Sequence, residues 1–263
     1  MGRFGVGQAV RRSEDGRLLS GQGCYTSDVN QPGQVYAVFL RAVHAHARLG
    51  DIDCAAALAA DGVLGVYTAT DVAADGLGTL PCTGMVKNRD GSPMFLPPRP
   101  LLAKDRVRHI GEPIAMVVAE TLAQAKDAVE LIRADYEALT AVAHVAGAAA
   151  PDAPTLWDEV ADNVAYRWHL GDEDAAAASF ADAAHVVAVD LVNNRIVCNP
   201  MEPRNALAVF ADGRYTLTSG NQGGHHLKET LSDPVLGVAP AEIRVITPDV
   251  GGGFGARYAL YPE

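Results

Sequence analysis

Several groups of residues in this sequence have types and spacings that could carry chemistry. The most conspicuous is DVGGGFGARY, Asp249 to Tyr258, in which Gly251, Gly252, Gly253 and Gly255 occupy four of five successive positions. Each such glycine costs about 0.5–1 kcal/mol relative to alanine once its backbone is fixed, so something must require the missing Cβ atoms. Two requirements qualify: a positive φ, or close approach of backbone N–H groups to an anion or a flat cofactor. A hydrogen bond to a charged oxygen returns about 1.5–3 kcal/mol, enough to offset the entropic cost. Gly251, Gly253 and Ala256 satisfy the dinucleotide pattern GxGxxA, but Pro248 and Asp249 intervene after the strand and no apolar helix follows. The sequence also stops before an acidic ribose-binding residue about 20 positions on. A phosphate loop is excluded because Arg257 is followed by Tyr258 and not by Ser or Thr.

Gln222, in SGNQGG, offers a carboxamide that can donate to an oxygen without adding charge; by itself an Asn-Gln-Gly-Gly stretch also reads as a turn. Glu202, in Met201-Glu202-Pro203-Arg204, could serve as an acid or base, and reads more simply as a partner of Arg204. His44 with His46, and His225 with His226, resemble metal-ligand pairs, yet no further ligands stand at suitable spacing. They are expected to be solvated or satisfied by the core. Cys24, Cys54, Cys82 and Cys198 lie far apart and form no CxxC pair. They read as reduced, isolated thiols, with no zinc knuckle or protein-ligated iron–sulfur cluster.

Two layers of α/β structure must hold these residues in place. QVYAVFLRA (34–42) reads as a strand, with a second around 49–52 and a third from Val63. An Ala-rich helix between them is closed by Gly62. Residues 76–100 carry five prolines, Pro81, Pro93, Pro97, Pro98 and Pro100, and read as a long surface loop. Then 114–119 reads as a buried strand, 122–132 as a helix with Thr121 as N-cap, and 134–137 as a strand of the same layer. The segment 138–160 is rich in Ala and Pro and reads as a linker. Beyond it come an acidic Ala-rich helix with Asp172, Glu173 and Asp174 at its N-terminus, a long strand HVVAVDLVNNRIVCN, and a hairpin at Asp212-Gly213. A short helix GGHHLKETL follows, and the strand 243–248 delivers the glycine run. The chain therefore divides into an extended segment 1–18, a domain 19–137, the linker, and a second region 161–263.

Composition narrows the functional classes. Of 263 residues, 49% are hydrophobic and 20% charged, an ordinary globular balance. Asp and Glu outnumber Lys and Arg by 32 to 21, for a net charge of −11, and no stretch concentrates basic residues with aromatics, so nucleic acid is not an expected partner. The start, MGRFGVGQAVRRSEDG, has no apolar segment long enough for a signal peptide, and no window approaches a membrane span. A soluble, cytoplasmic chain without membrane insertion is expected.

VGGGFGARY resembles the GGGFG segment of the molybdopterin-binding large subunits of the xanthine dehydrogenase, aldehyde oxidase and aerobic carbon monoxide dehydrogenase family. PMEPRNALAVF, SGNQGGHHLKETLSDPVLGVAPAEIRVI, RAVHAHARLGDID and GEPIAMVVAETLAQAKDAVELIRADYE resemble further stretches of that family in the same order, covering the chain from about residue 16 to 263. The resemblance implies an α+β fold: an α/β hammerhead domain followed by the incomplete start of the molybdopterin cofactor-binding domain.

It also implies a molybdenum–molybdopterin cofactor, in the cytosine dinucleotide form, and oxidation of a C–H bond of an aldehyde or N-heterocycle with water as the oxygen source. By position, Gln222, Gly223, Gly252, Gly253, Phe254 and Gly255 would bind the cofactor, Gln222 through an oxygen on the metal. Phe254 and Tyr258 would face the substrate pocket. Tyr258 falls where some relatives place a substrate-facing glutamate, and a neutral phenol there argues against a purine. No side chain of the chain is expected to ligate the metal, and no catalytic residue is expected within it, because the family's catalytic glutamate lies beyond Glu263. Expected partners are the rest of the large subunit, an iron–sulfur subunit, an FAD subunit and a small-molecule substrate. Two other readings are a non-catalytic fragment or assembly module, and a nicotinamide-dependent reductase built on the glycine loop.

Overall fold

The computed structural model of the chain describes Gly7 and residues 9–82 and 84–263. The rest of the N-terminal segment, and Thr83 in the proline-rich loop, lie outside the described residues. Nine strands form three three-stranded sheets among the described residues: β1 (Tyr36–Arg41), β2 (Ala47–Asp53), β3 (Val63–Thr68), β4 (Arg106–Val107), β5 (Pro113–Ala119), β6 (Arg133–Ala138), β7 (Leu207–Ala211), β8 (Arg214–Thr218) and β9 (Ile243–Ile246). The helices are α1 (Asp15–Leu19), α2 (Ala55–Leu58), α3 (Ala69–Ala74), α4 (Leu122–Val129), α5 (Val145–Ala148), α6 (Glu173–Asp182) and α7 (Gly224–Thr230).

β5, PIAMVVA, is the most apolar strand and sits at the centre of the first sheet, with β1 and β3 antiparallel on its two edges. Its Ala115 and Val117 form a buried cluster with Ala57 of α2, Ala128 of α4 and Ile132. Small residues let the helices lie close to the strand, which is why Ala-rich segments serve here. On the other side Ile114 packs against Ala47, Leu49 and Val107 of the second sheet, in which β2 lies between β4 and β6. Thr121 caps α4, its hydroxyl accepting from Gln124 N at 3.2 Å.

The strand–helix–strand stretch 114–137 does not form one layer. β5 is already paired on both edges, so β6 has no place beside it and pairs with β2 instead; α4 carries the chain from one sheet to the other. α4 ends at Val129, three residues earlier than its periodicity suggests. The N-terminal lead-in contains α1, supported by Arg12 Nε donating to Asp15 at 2.8 Å. α3 was not legible from apolar period, although Thr68-x-x-Asp71 carries the capping-box spacing, and Asp71 accepts from Thr68 N at 2.7 Å.

Among its described residues the proline-rich loop has only isolated bridges, Leu80 to Arg99 and Lys87 to Pro93. It holds the second region through backbone bonds, Gly78 N to Val235 O at 2.8 Å and Phe95 N to Ala165 O at 2.9 Å.

In the second region, α6 forms where expected, with Asp172 accepting from Ala175 N at 2.9 Å. The hairpin β7–β8 turns at Asp212 and Gly213, with φ of 52° and 72°, as a type I′ turn requires. HVVAVDLVNNRIVCN is not a strand: residues 185–199 are exposed and make no backbone ladder. Its β propensity meets no paired edge, and a strand exists only through its partner's hydrogen bonds. β8 and β9 run parallel, joined through α7 and a turn over Leu231–Leu236, with Leu227, Val235 and Ile243 buried beneath.

The burial pattern predicts unequal sensitivity to truncation. Ile114→Ala removes a fully buried side chain and should cost about 2–5 kcal/mol in urea unfolding followed by circular dichroism. Phe180→Ala, on the exposed α6, should stay within about 0.5 kcal/mol.

Candidate functional site

Parallel pairing decides where the site lies. β8 and β9 end at the same edge of their sheet, so the segment after Thr218 and the segment after Ile246 emerge side by side. The first carries Asn221 and Gln222; the second carries Asp249 and the glycine run. Ligands commonly sit outside the carboxyl ends of such strands. Asn221, 8% exposed, ties the two segments together: its Nδ2 donates to Thr247 Oγ1 at 2.7 Å and to Ser219 O at 2.9 Å, while its Oδ1 accepts from Gly223 N at 3.0 Å. Sequence reasoning passed over Asn221 because Asn in a Gly-rich stretch reads as a turn residue.

Gln222 and the glycine run fit together closely. Oε1 of Gln222 accepts from Gly255 N at 3.0 Å and from Arg257 N at 3.2 Å. With the carbonyl engaged twice, the amide orientation follows, and Nε2 of this exposed residue meets no acceptor among the described residues. A Cβ on Gly253 would stand 2.5 Å from Gln222 Cδ, so this glycine is required by the approach of the Gln222 side chain. Phe254 adopts φ 49°, between Gly252 at 109° and Gly255 at 86°. Such a conformation costs a bulky residue about 1–2 kcal/mol. Here it is held by Cys198, whose thiol donates to Phe254 O at 3.1 Å, and it leaves the ring 74% exposed.

Three consecutive backbone donors stay open. The N–H groups of Gly252, Gly253 and Phe254 meet no acceptor among the described residues, whereas those of Gly251, Gly255, Ala256, Arg257 and Tyr258 are all bonded. Gly255 was expected to offer a backbone contact; its N–H is engaged by Gln222, and what it contributes is its positive φ. Gly223 is the N-cap of α7 and gives its N–H to Asn221. Tyr258, half exposed, stacks on His226 with ring centroids 5.0 Å apart.

Beneath the loop lies a buried ion pair that the sequence did not reveal. Arg257 Nη1 meets Glu202 Oε2 at 2.9 Å, with side-chain exposures of 1% and 8%. Glu202 Oε2 also accepts from Gly251 N at 2.8 Å. The same guanidinium donates to the carbonyls of Gly220, at 3.3 Å, of Pro203, at 3.3 Å, and of Glu202 itself. Glu202 therefore pairs with Arg257 and not with Arg204, which reaches Glu263 and stacks over Tyr261. Glu202 and Arg204 stand two positions apart, but Pro203 sits between them and only the burial of Glu202 distinguishes their surroundings.

Asp249 anchors the loop to the N-terminal segment. Its carboxylate takes both Nη atoms of Arg17, at 2.5 and 2.6 Å, and Cys24 N at 2.7 Å. The Arg17 guanidinium, aided by the Cys24 N–H, pulls this carboxyl down to about 2. Thr26 adds a second link, its hydroxyl accepting from Gly220 N at 2.9 Å. The histidines do not converge: His46 Nδ1 bonds Thr140 O at 2.9 Å and His44 packs on Tyr136. Among the described residues no three His, Cys, Asp or Glu side chains are placed to hold a metal ion.

Comparison with known proteins accords with this geometry. Residues 20–140 match the family model described as the a/b hammerhead domain of aldehyde oxidase and xanthine dehydrogenase, and residues 156–263 match the molybdopterin cofactor-binding domain. The chain belongs to the molybdopterin-binding large-subunit family. It is 37% identical to the nicotine 6-hydroxylase large subunit of Paenarthrobacter nicotinovorans, over 98% of this chain and 31% of that one. It is 33% identical to the carbon monoxide dehydrogenase large chain of Afipia carboxidovorans, over 98% of this chain and 32% of that one. Quinoline 2-oxidoreductase from Pseudomonas putida 86 superimposes with a TM-score of 0.87 at 35% identity, covering 96% of this chain and 31% of that structure. The chain thus spans about a third of the length of the relatives it matches. Its fold is the hammerhead domain followed by the start of the molybdopterin-binding domain.

The open N–H triplet and the free Gln222 amide suit a group with oxygen acceptors. A molybdenum pterin, held by such donors and needing no side-chain metal ligand, fits this set of residues.

Two outcomes follow from the geometry. Arg257→Met leaves Glu202 buried without its partner and should destabilise the region by about 3–5 kcal/mol in urea unfolding. The Asp249 carboxyl lies below its unfolded value of about 3.9, so its stabilising contribution is present above that pH and is lost as pH falls through about 2. Asp249→Asn should remove that part of the acid dependence and speed protease cleavage between Arg17 and Cys24 at neutral pH.

Proposed function

We propose that this chain supplies one wall of the molybdenum cofactor site in a molybdenum hydroxylase large subunit. The observation that carries the reading is the Gln222 amide, locked against a loop with three open N–H groups, inside a stretch that matches the molybdopterin cofactor-binding domain. Gln222, Gly252, Gly253 and Phe254 would hold the cofactor, with Gly255, Gly223 and Asn221 shaping the two segments. The chemistry a bound molybdenum pterin supplies is two-electron oxidation at a substrate C–H bond, with water as the oxygen source.

The chain's own residues bind and orient. Nε2 of Gln222 donates without adding charge, so it favours an oxygen acceptor in any protonation state. The exposed Phe254 ring is free to pack against a bound group, and Tyr258, stacked on His226, offers a neutral phenol. Glu202 is locked by Arg257 and Gly251 and is unsuited to move a proton. Glu202 is therefore not the general base of the proposed reaction.

The relatives at 37% and 35% identity are a nicotine 6-hydroxylase and a quinoline 2-oxidoreductase, which favours an N-heterocycle, with an aldehyde as the second substrate class, and Tyr258 disfavours a purine. The dinucleotide form is the cytosine one, and the working assembly is cytoplasmic, with iron–sulfur and FAD subunits as electron acceptors.

The assembly purified through a tag on this chain should contain molybdenum by mass spectrometry and release a pterin cytosine dinucleotide. Gln222→Glu, which keeps an acceptor for the Gly255 and Arg257 N–H groups and removes the Nε2 donor, should lower kcat about 10²-fold, the usual effect of losing one such donor. A stable assembly free of metal and pterin would overturn the proposal in favour of a non-catalytic assembly module.

A further inference from the structure

The second region leaves one surface without any covering. From Tyr166 to Asn199 every residue is exposed, α6 buries none of its side chains, and residues 185–199 form no backbone hydrogen bond with the other described residues. The exposed residues are strongly apolar: Val187, Leu191, Val192 and Val197 are each 85–86% exposed. Solvent-facing clusters of this kind mark interaction surfaces. β7, whose Phe210 is 62% exposed, presents an unpaired edge on the neighbouring sheet.

The sequence states what kind of cover is missing. In HVVAVDLVN the apolar residues fall on both parities: Val187, Val189 and Leu191 on one, Val186, Ala188 and Val192 on the other. A strand with one face in water alternates apolar and polar; one apolar on both faces belongs inside, covered above and below and bonded along its edges. A second copy meeting this segment about a two-fold axis covers one edge or one face and leaves the other bare. What is needed is a large body of polypeptide. The relatives contain it, since this chain matches 31–32% of their length with a TM-score of 0.87 over nearly all its own residues. Cys198 joins the segment to the Phe254 carbonyl, so whatever orders it also bears on the candidate site.

We propose that residues 185–197 are an interior strand whose neighbours come from the polypeptide corresponding to the remaining two thirds of the relatives' length, joined to this chain or separate from it. Docking of that polypeptide converts 185–197 into a central strand. The inference rests on the family match and is independent of the redox chemistry proposed above.

Amide hydrogen exchange tests it on two samples: this chain alone, and the native assembly purified through a tag on the chain. Peptides over 185–197 should exchange at near-unprotected rates in the chain alone and at least about a hundredfold more slowly in the assembly. Mass spectrometry should find peptides in the assembly that match the remaining two thirds of the family. The double variant Val189→Asp, Leu191→Asp should leave the unfolding midpoint of the chain alone unchanged and remove the exchange protection of 185–197 in the assembly. Fast exchange in both samples overturns the proposal, as does a large loss of stability in the isolated variant, which would mean that the segment packs within the chain. Protection arising from a dimer of this chain, seen by sedimentation and broken by the variant, overturns it in favour of a second copy. Protection in an assembly without molybdenum leaves the strand assignment standing and removes the functional reading.

Discussion

The contact between Glu202 and Arg257 is the interaction on which the geometry of the candidate site depends. One guanidinium, almost wholly buried, meets a carboxylate and three carbonyls, and that carboxylate in turn holds the N–H of Gly251. A buried ion pair is weak evidence for stability, because desolvation offsets much of the attraction. Its effect here is positional. It fixes the start of the glycine loop through Gly251, its end through Arg257, and the preceding segment through Gly220. The loop between can then hold Phe254 at a positive φ that an unconstrained chain would leave.

Above that pair the design rests on two parallel strands. An antiparallel β8 and β9 would deliver their following segments to opposite edges, and Gln222 would never meet Gly253. The parallel pairing needs a crossover, and α7 with the turn after it provides one, burying Leu227 and Val235 on the way. The hammerhead region contributes through the N-terminal segment and the proline-rich loop, which hold the second region by a few specific bonds and not by a shared core.

How much of this was legible in the sequence depended on the range of the interactions involved. Strands β1, β3 and β5, the capped helix α4, and the Asp212-Gly213 hairpin announce themselves because local periodicity and turn chemistry determine them. The sheet to which β6 belongs is not local information; it follows from both edges of β5 being taken. HVVAVDLVNNRIVCN has every property of a strand except a partner, and no window of sequence contains the partner. At the site, the glycine run signalled that missing Cβ atoms were needed, but not that Gly253 yields its space to the Gln222 side chain. Arg257 looked like a surface residue of a loop, and Glu202 looked like a partner for Arg204 two positions away. The actual pairing spans 55 residues and is visible only once the fold has closed.

The clamp of Arg17 on Asp249 joins residues 232 positions apart. A ribosome adding about 5–20 residues per second exposes Arg17 on the order of tens of seconds before Asp249 is made. The hammerhead strands can pair in that interval, since their contacts are complete by residue 138. The opening segment cannot, because its anchor belongs to the last strand's loop. The segment around Arg17 is thus among the last to find its place, and it locks onto the glycine loop only after that loop has formed.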